Sequence, residues 1–170
     1  MSAADEPRRL LLLRHGKSDW NADAESDHAR PLTRRGEDAA EAVGRWITES
    51  SLEPDLVLSS TAVRARLTAE MARESGGWSC PLELVEELYD APPDRLLEFC
   101  RALDPELRRP LLVGHQPAWG ALASQLAGGG RVRFPTAALA VLRCDGPWPD
   151  LGAGRAELEL LLPPKRLPRR

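Results

Sequence analysis

One stretch decides the fold of this chain: Leu10-Leu11-Leu12-Leu13, followed by Arg14-His15-Gly16-Lys17-Ser18-Asp19-Trp20-Asn21. Four consecutive apolar residues predict a strand that is covered on both faces, as in a parallel sheet. Gly16 allows the backbone to turn sharply after the strand and a ligand to approach it closely. The strand thus ends in a permanent cation and an imidazole, Arg14 and His15. This pairing suits a phosphoryl group, because the imidazole can attack phosphorus while the guanidinium binds its oxygens.

The composition is that of an ordinary globular chain. The 170 residues are 42% hydrophobic and 29% charged, and a chain of this length buries roughly 70% of its unfolded surface without disulfides or metal ions. We expect a single domain over residues 1–170, with flexible ends at 1–8 and 165–170. The formal net charge of −3 argues against a protein that binds nucleic acids or membrane surfaces.

The sequence predicts a cytoplasmic protein. No apolar run approaches the roughly 18 residues that a membrane span needs, and residues 1–6 are acidic where a signal peptide would be basic. Cys80, Cys100 and Cys144 are far apart and odd in number, which favours buried free thiols over a disulfide framework or a metal site.

Strand patterns and helix patterns alternate along the rest of the chain. Strands are predicted at residues 10–14, 56–58, 82–85, 111–113, 138–143 and 156–162. Helices are predicted after Thr33, from Ser59 or Ser60 to about Ser75, from Pro92 or Pro93 to about Leu103, and from Pro117 to the glycines at 128–130. This alternation predicts an α/β fold in three layers, with a mostly parallel central sheet and helices on both faces.

Side chains suited to phosphate chemistry follow three of these strands. Arg14 and His15 follow the first strand, Arg64 comes soon after the second, and His115 follows the strand at 111–113. The binding crevice of an open α/β sheet lies at the carboxyl ends of its strands. We therefore expect these four side chains to meet at one edge of the sheet.

Each of these side chains has a chemical role at such an edge. Neighbouring arginines lower the pKa of His15 and so favour the unprotonated imidazole that can attack phosphorus. Arg14 and Arg64 can bind phosphoryl oxygens in pairs of hydrogen bonds. His115 can donate to the same oxygens, and Ser18 and Asn21 can add uncharged donors.

Several strings of this sequence resemble the signatures of the histidine phosphatase superfamily, which includes the phosphoglycerate mutases. They are Arg14-His15-Gly16, the segment 60–65 with Thr68-Ala69, and Val113-Gly114-His115. Finer strings are similar to its short SixA-type branch, the phosphohistidine phosphatases: KSDW at 17–20, RPLTRRG at 30–36, LYDA at 88–91 and FPTAALAVL at 134–142. The resemblance covers residues 10 to about 167 and implies a phosphoglycerate mutase-like fold.

The resemblance also implies an activity. His15 would accept the phosphoryl group in a phosphatase that needs neither metal nor cofactor. Arg14, Arg64 and His115 would form the phosphate pocket, with Ser18 and Asn21 as further phosphate-binding residues. The partner would be a protein carrying phosphohistidine, or a small phosphorylated substrate, and we expect the enzyme to act in signalling as a monomer or weak dimer.

Two positions depart from the family pattern. Thr61 stands where proline is usual, which changes the stiffness of the backbone before Arg64. Mutase-like members also carry a glutamate that protonates the leaving oxygen, but Glu86, Glu87 and Asp90 are in no matching motif here. A leaving imidazole, with a conjugate-acid pKa of about 6.5, can take its proton from solvent, whereas an alkoxide needs a positioned acid. The sequence therefore favours P–N cleavage, and leaves open whether Glu87, Asp90 or solvent supplies a proton.

The sequence leaves three further alternatives open. The same machinery serves phosphatases of small phosphoesters and mutases. A non-catalytic phosphoprotein-binding module would keep the pocket but would have no use for a nucleophile at His15. His28, in the loop before Arg30, is either a residue that reaches over the pocket or an exposed loop residue.

Overall fold

A computed structural model of the chain describes residues 6–168. The elements in chain order are β1 (Arg8–Arg14), α1 (Arg34–Glu49), β2 (Leu56–Ser60), α2 (Val63–Gly76), β3 (Leu82–Val85), α3 (Pro93–Arg101), β4 (Pro110–Gly114), α4 (Ala118–Leu126), β5 (Leu139–Cys144) and β6 (Ala156–Leu162). Short 3₁₀ turns occupy Glu86–Leu88, Trp148–Asp150 and Pro164–Arg166. Across residues 6–168, no helix has both the length and the apolar character needed to cross a membrane.

The six strands form one mixed sheet in the order β3-β2-β4-β1-β5-β6. The pairs β3–β2, β2–β4 and β4–β1 are parallel, whereas β5 pairs antiparallel with β1 and β6 antiparallel with β5. This confirms the predicted α/β fold with a mostly parallel sheet. The antiparallel strands are the two at the end of the chain, whose direction the sequence pattern does not specify.

The apolar run at residues 10–13 forms the centre of the sheet. All four leucines are fully buried, Leu10 and Leu12 on one face and Leu11 and Leu13 on the other. Burying one leucine side chain contributes about 1.5–3 kcal/mol, so a strand with four of them is stabilised most by a position covered from both sides. β1 lies between β4 and β5, where it is paired along both edges.

Helices cover both faces of this sheet, as predicted. On one face α1 and α2 contribute Val43, Ile47 and Ala69 to a shared apolar core. On the other face α3 and α4 contribute side chains such as Leu96 and Leu122 to a second core. The carboxyl ends of the four parallel strands lie at one edge of this sheet.

The helix ends follow local chemistry at most positions. The Thr33 side chain caps α1 by accepting from the Gly36 N–H at 3.1 Å, and Gly77 ends α2 in the left-handed region at φ 68°. The prediction that Ser59 or Ser60 caps α2 is wrong. Both serines belong to β2, because strand pairing with β3 and β4 continues through them, and α2 begins only at Val63.

Two residues within the segments predicted to be flexible make contacts in the fold. Arg8 begins β1 and pairs with Cys144 of β5. Leu167 is buried in the core that α1 and α2 share. Residues 1–5 and 169–170 lie outside the described residues, and flexibility at 1–8 and 165–170 stays a prediction.

The loop after β1 is pressed against the start of α1. A Cβ atom at Gly16 would lie 2.6 Å from the Gly36 carbonyl oxygen, and one at Gly36 would lie even closer to the Lys17 carbonyl. The Thr33 N–H also donates to the Lys17 oxygen at 2.8 Å. Only glycine at both positions permits this approach, so the pair fixes the path of the backbone immediately after His15.

Candidate active site

A cavity of about 450 Å³ opens at the carboxyl ends of β1, β2 and β4. Four predicted residues line it together: Arg14, His15, Arg64 and His115. They come from the end of β1, the first turn of α2 and the end of β4. The structure thus brings together at one edge the residues that the sequence placed after three separate strands.

His15 is buried, and its ring is held in one tautomer. Nδ1 lies 2.7 Å from the Gly16 carbonyl oxygen, which can only accept a hydrogen bond, so Nδ1 carries the hydrogen and Nε2 keeps its lone pair. Burial lowers the pKa of His15 to about 3, with smaller contributions from His115, Arg64 and Arg14 and an opposing one from Gly16. The arginines act in the predicted direction, but desolvation is the larger cause. The His15 imidazole is therefore neutral at pH 7, with its hydrogen on Nδ1 and a lone pair on Nε2.

Both arginines reach this imidazole or its surroundings. Arg64 is buried, and its Nε lies 3.4 Å from His15 Nε2. Arg14 donates from Nη1 to the Phe134 carbonyl at 3.0 Å, while its buried Nε finds no acceptor among residues 6–168. Burial and then the charge of Arg64 lower the pKa of Arg14, but a guanidinium stays protonated. The two cations therefore offer hydrogen-bond donors for an anion beside His15.

His115 completes this group. Its ring centroid lies 5.2 Å from that of His15, and its Nε2 is 2.8 Å from the hydroxyl of Ser60 at the end of β2. Burial first and the charge of Arg64 second lower the pKa of His115 to about 4. The second imidazole is therefore also neutral at pH 7, and it can donate one hydrogen bond to an anion without adding charge.

The amino-terminal part of the chain matches a known protein family. The model of the histidine phosphatase superfamily (branch 1) matches residues 10–96, which include Arg14, His15 and Arg64. The chain belongs to the histidine phosphatase superfamily. His115 lies beyond the matched residues, and the structure places it in the same pocket.

Relatives place this histidine phosphatase in the SixA-type branch. It is 30% identical over 140 residues to the phosphohistidine phosphatase SixA of Escherichia coli (strain K12), covering 81% of this chain and 86% of that protein. It is 36% identical over 156 residues to an uncharacterized protein of Mycobacterium tuberculosis, covering 86% and 96% of the two chains. A solved structure of the protein histidine phosphatase SixA complexed with tungstate matches with a TM-score of 0.81 at 26% identity, covering 92% and 97%. These matches confirm the phosphoglycerate mutase-like fold.

The two uncharged donors predicted for this histidine phosphatase have different positions. Ser18 is buried and lines the cavity, where its hydroxyl accepts a hydrogen bond from Arg30 Nη1. Asn21 is not among the residues that line the cavity, and its contact with phosphate stays a prediction. Its backbone N–H donates to Asp19 Oδ1 at 2.9 Å in an exposed turn.

The predicted proton donors are also separated by the structure. Glu87 is exposed in the turn after β3 and does not line the cavity. Asp90 does line it, at the rim, with a backbone φ of 58° that a non-glycine residue rarely adopts. Of the two carboxylates, Asp90 is the one that shares the cavity with Arg14, Arg64 and His115.

His28 lies neither over the cavity nor free in solvent. Its Nε2 is 2.9 Å from the Thr61 hydroxyl, and its ring meets the edge of Tyr89 at a centroid distance of 4.8 Å. The His28 carbonyl accepts from the Val63 N–H at 2.9 Å. Thr61, which departs from the family pattern, therefore helps to attach the loop before α1 to the start of α2.

Sequence reasoning gave no site role to several side chains that line the cavity, among them Asp27, Arg30 and Trp20. Asp27 binds Arg30 and Arg64, and Arg30 Cζ lies over the Trp20 ring, 3.6 Å from its centroid. Trp20 is 77% exposed. The sequence pattern that could have predicted this ion pair is the spacing of Asp27 and Arg30. They are three residues apart, next to Pro31, and this spacing favours an ion pair within one turn.

The remaining groups of interest lie away from this pocket. All three cysteines are free as predicted, Cys100 and Cys144 buried and Cys80 half-buried. Within residues 6–168, no group of three His, Cys, Asp or Glu side chains is placed to hold a metal ion.

The pocket histidines are expected to resist protonation down to about pH 4. The pKa is about 3 for His15 and about 4 for His115, against about 6.5 for a histidine in an unfolded chain. Between these values the unfolded chain binds more protons than the folded chain, so the free energy of unfolding falls as the pH drops from about 6.5 towards 4. An NMR titration of the imidazole C2 protons tests this, and a midpoint near pH 6.5 for either ring would contradict it. The pH dependence of stability should be weaker in His15→Asn.

Proposed function

We propose that this histidine phosphatase removes phosphoryl groups from phosphohistidine residues of proteins, through a covalent intermediate on His15. The observation that carries the proposal is the His15 Nε2 lone pair, held unprotonated beside two guanidinium groups. The name of the related E. coli protein, phosphohistidine phosphatase SixA, supports the choice of substrate.

In the first step, His15 Nε2 attacks phosphorus, a new P–N bond forms, and the P–N bond to the substrate imidazole breaks. The electron pair of the broken bond stays on the leaving nitrogen, which takes a proton from solvent. Arg14, Arg64 and His115 bind the phosphoryl oxygens as their charge is redistributed. Because two guanidinium groups supply positive charge there, we propose that the reaction needs no metal ion.

In the second step, water attacks the phosphoryl group on His15. The P–O bond to water forms, the bond to Nε2 breaks, and the imidazole recovers its lone pair. A proton leaves the attacking water, and inorganic phosphate is released. The Gly16 carbonyl keeps the hydrogen on Nδ1 throughout, so that the same nitrogen is nucleophile and leaving group.

The acidic groups of the cavity favour P–N over P–O substrates. Within residues 6–168, Asp27 and Asp90 are the acids that line it. Hydrogen bonding from Arg30, followed by the charge of Arg64, lowers the pKa of Asp27 to about 2, so this carboxylate holds no proton at neutral pH. An alkoxide leaving group would have to rely on exposed Asp90, whereas an imidazole leaving group can be protonated by water.

Hydrolysis of small phosphoesters is the second candidate function, and the position of Asp90 at the rim of the cavity is the observation that favours it.

A cytoplasmic location, a role in signalling and a monomeric or weakly dimeric state remain predictions.

A substrate panel tests the proposed specificity. We expect kcat/KM for a phosphohistidine-bearing relay protein to exceed that for 3-phosphoglycerate or a nucleoside monophosphate by about 10²-fold or more. This is the rate that hydrolysis of a phosphoester loses when no acid is positioned to protonate its leaving group. Released inorganic phosphate is measured for each substrate. The His15→Ala protein is the control for spontaneous hydrolysis of phosphohistidine. Faster turnover of a small phosphoester would overturn the proposal.

A further inference from the structure

The carboxylate of Asp27 lies in a cavity that is otherwise suited to an anion. Half of its side chain is exposed, and its two oxygens accept from three donors. Oδ1 lies 2.8 Å from Arg30 Nη2, and Oδ2 lies 3.0 Å from Arg64 Nη2 and 3.2 Å from the Tyr89 hydroxyl. A negative charge here repels a phosphoryl group, so its position requires another explanation.

Asp27 also holds Arg64 through its backbone. Its carbonyl oxygen accepts from Arg64 Nη1 at 2.7 Å, so both terminal nitrogens of one guanidinium donate to one residue. These two contacts occupy the end of the planar group and prevent it from rotating. The Nε edge then faces His15, with Nε 3.4 Å from the His15 Nε2 atom.

The loop that carries Asp27 is anchored independently of Arg64. The next residue, His28, contacts the Thr61 hydroxyl and accepts from the Val63 N–H. The path of the loop therefore has supports other than Arg64, and the two contacts of Asp27 with Arg64 are additional to its contacts with Arg30 and Tyr89.

We propose that Asp27 is a positioning residue, which holds the Arg64 guanidinium so that its Nε edge binds the phosphoryl oxygens beside His15. This inference rests on the proposed phosphoryl transfer at His15, but not on which molecule supplies the phosphoryl group. Asp27 itself touches neither His15 nor the reacting phosphorus. Its effect reaches the reaction through Arg64.

Orthovanadate, which resembles the group being transferred, provides a test that needs no substrate. If Asp27 contributed only its charge, Asp27→Asn would bind this anion more tightly, because a repulsive charge is removed. If Asp27 orients Arg64, the same variant binds it more weakly. We expect the Kd measured by calorimetry to rise about tenfold, as for the loss of one charge-assisted hydrogen bond. Unchanged or tighter binding would overturn the inference, and Asp27→Ala provides the same comparison if Asp27→Asn does not fold.

A double-mutant cycle shows whether the effect passes through Arg64. In an Arg64→Ala background, Asp27→Asn should cause no further loss of orthovanadate affinity, because the group that it positions is gone. A tenfold loss in that background as well would assign Asp27 a role apart from Arg64 and overturn the inference.

Two variants control for charge and for loop anchoring. Asp23→Asn removes the same charge from an exposed position of the same loop and should leave affinity within about twofold. Thr61→Val removes the hydroxyl contact of His28 without touching Arg64 and should also bind nearly normally. If Thr61→Val reproduces the tenfold loss, Asp27 merely holds the loop and the inference is wrong.

If the wild-type protein itself fails to bind orthovanadate, the proposed function and this inference both fail.

Discussion

His15→Ala is expected to abolish an acid-labile phosphoryl adduct and to lower kcat/KM by at least about 10⁴-fold. The wild-type imidazole provides a lone pair at Nε2, held there by the hydrogen bond of Nδ1 to Gly16. Alanine leaves the arginines in place, so the phosphoryl group can still bind but has no nucleophile to accept it. Rapid quenching with ³²P-labelled phosphoprotein, followed by acid and base treatment of the protein, measures the adduct directly.

His115→Ala is the matched control for that experiment. It removes the second, half-buried imidazole of the pocket, whose centroid lies 5.2 Å from that of His15, but leaves the proposed nucleophile. The adduct should still form in this variant, more slowly. Labelling that survives in His15→Ala and disappears in His115→Ala would exchange the two roles. A wild-type protein that binds phosphoprotein without any adduct would be the non-catalytic binding module.

Arg64→Ala is expected to lower kcat/KM by about 10²-fold or more, because it removes a buried set of charged donors next to His15. The lost interactions form with phosphoryl oxygens whose charge is redistributed in the transition state. Steady-state release of inorganic phosphate measures the effect.

Arg66→Ala tests whether loss of any arginine from α2 has the same result. Arg66 lies two residues further along and forms a surface pair with Glu70 at 3.1 Å, which contributes little to stability. This variant should retain activity within about twofold. If Arg64→Ala retained activity within a few-fold of the wild type, the assignment of Arg64 to phosphate binding would be wrong.

The framework of the site could be predicted because its signals are local. The run at 10–13 has no polar residue to expose, so a central, doubly covered strand is its stable location, and all four leucines are buried there. Once β1, β2 and β4 are parallel, their carboxyl ends must share an edge. Arg14, His15 and His115 follow two of those ends directly, which is why their meeting could be foreseen.

The contacts of the loop at 19–30 could not be predicted in the same way. Its backbone path depends on attachment to the start of α2, through Thr61 and Val63. Asp27 and Arg64 are 37 positions apart, and no periodic pattern links them. For the same reason the sequence does not show that Asn21 lies outside the residues that line the cavity.

The amino-acid sequence by itself determined the layered α/β architecture and the group of two imidazoles and two guanidiniums at one sheet edge, because hydrophobic pattern and strand polarity specify both. Only the tertiary structure decided which face of Arg64 is presented to His15, and that an aspartate holds it there. Whether a hydrogen bond forms between two loops depends on differences of a few tenths of an ångström in the donor–acceptor distance. These distances are set by packing of the whole chain, not by any one segment.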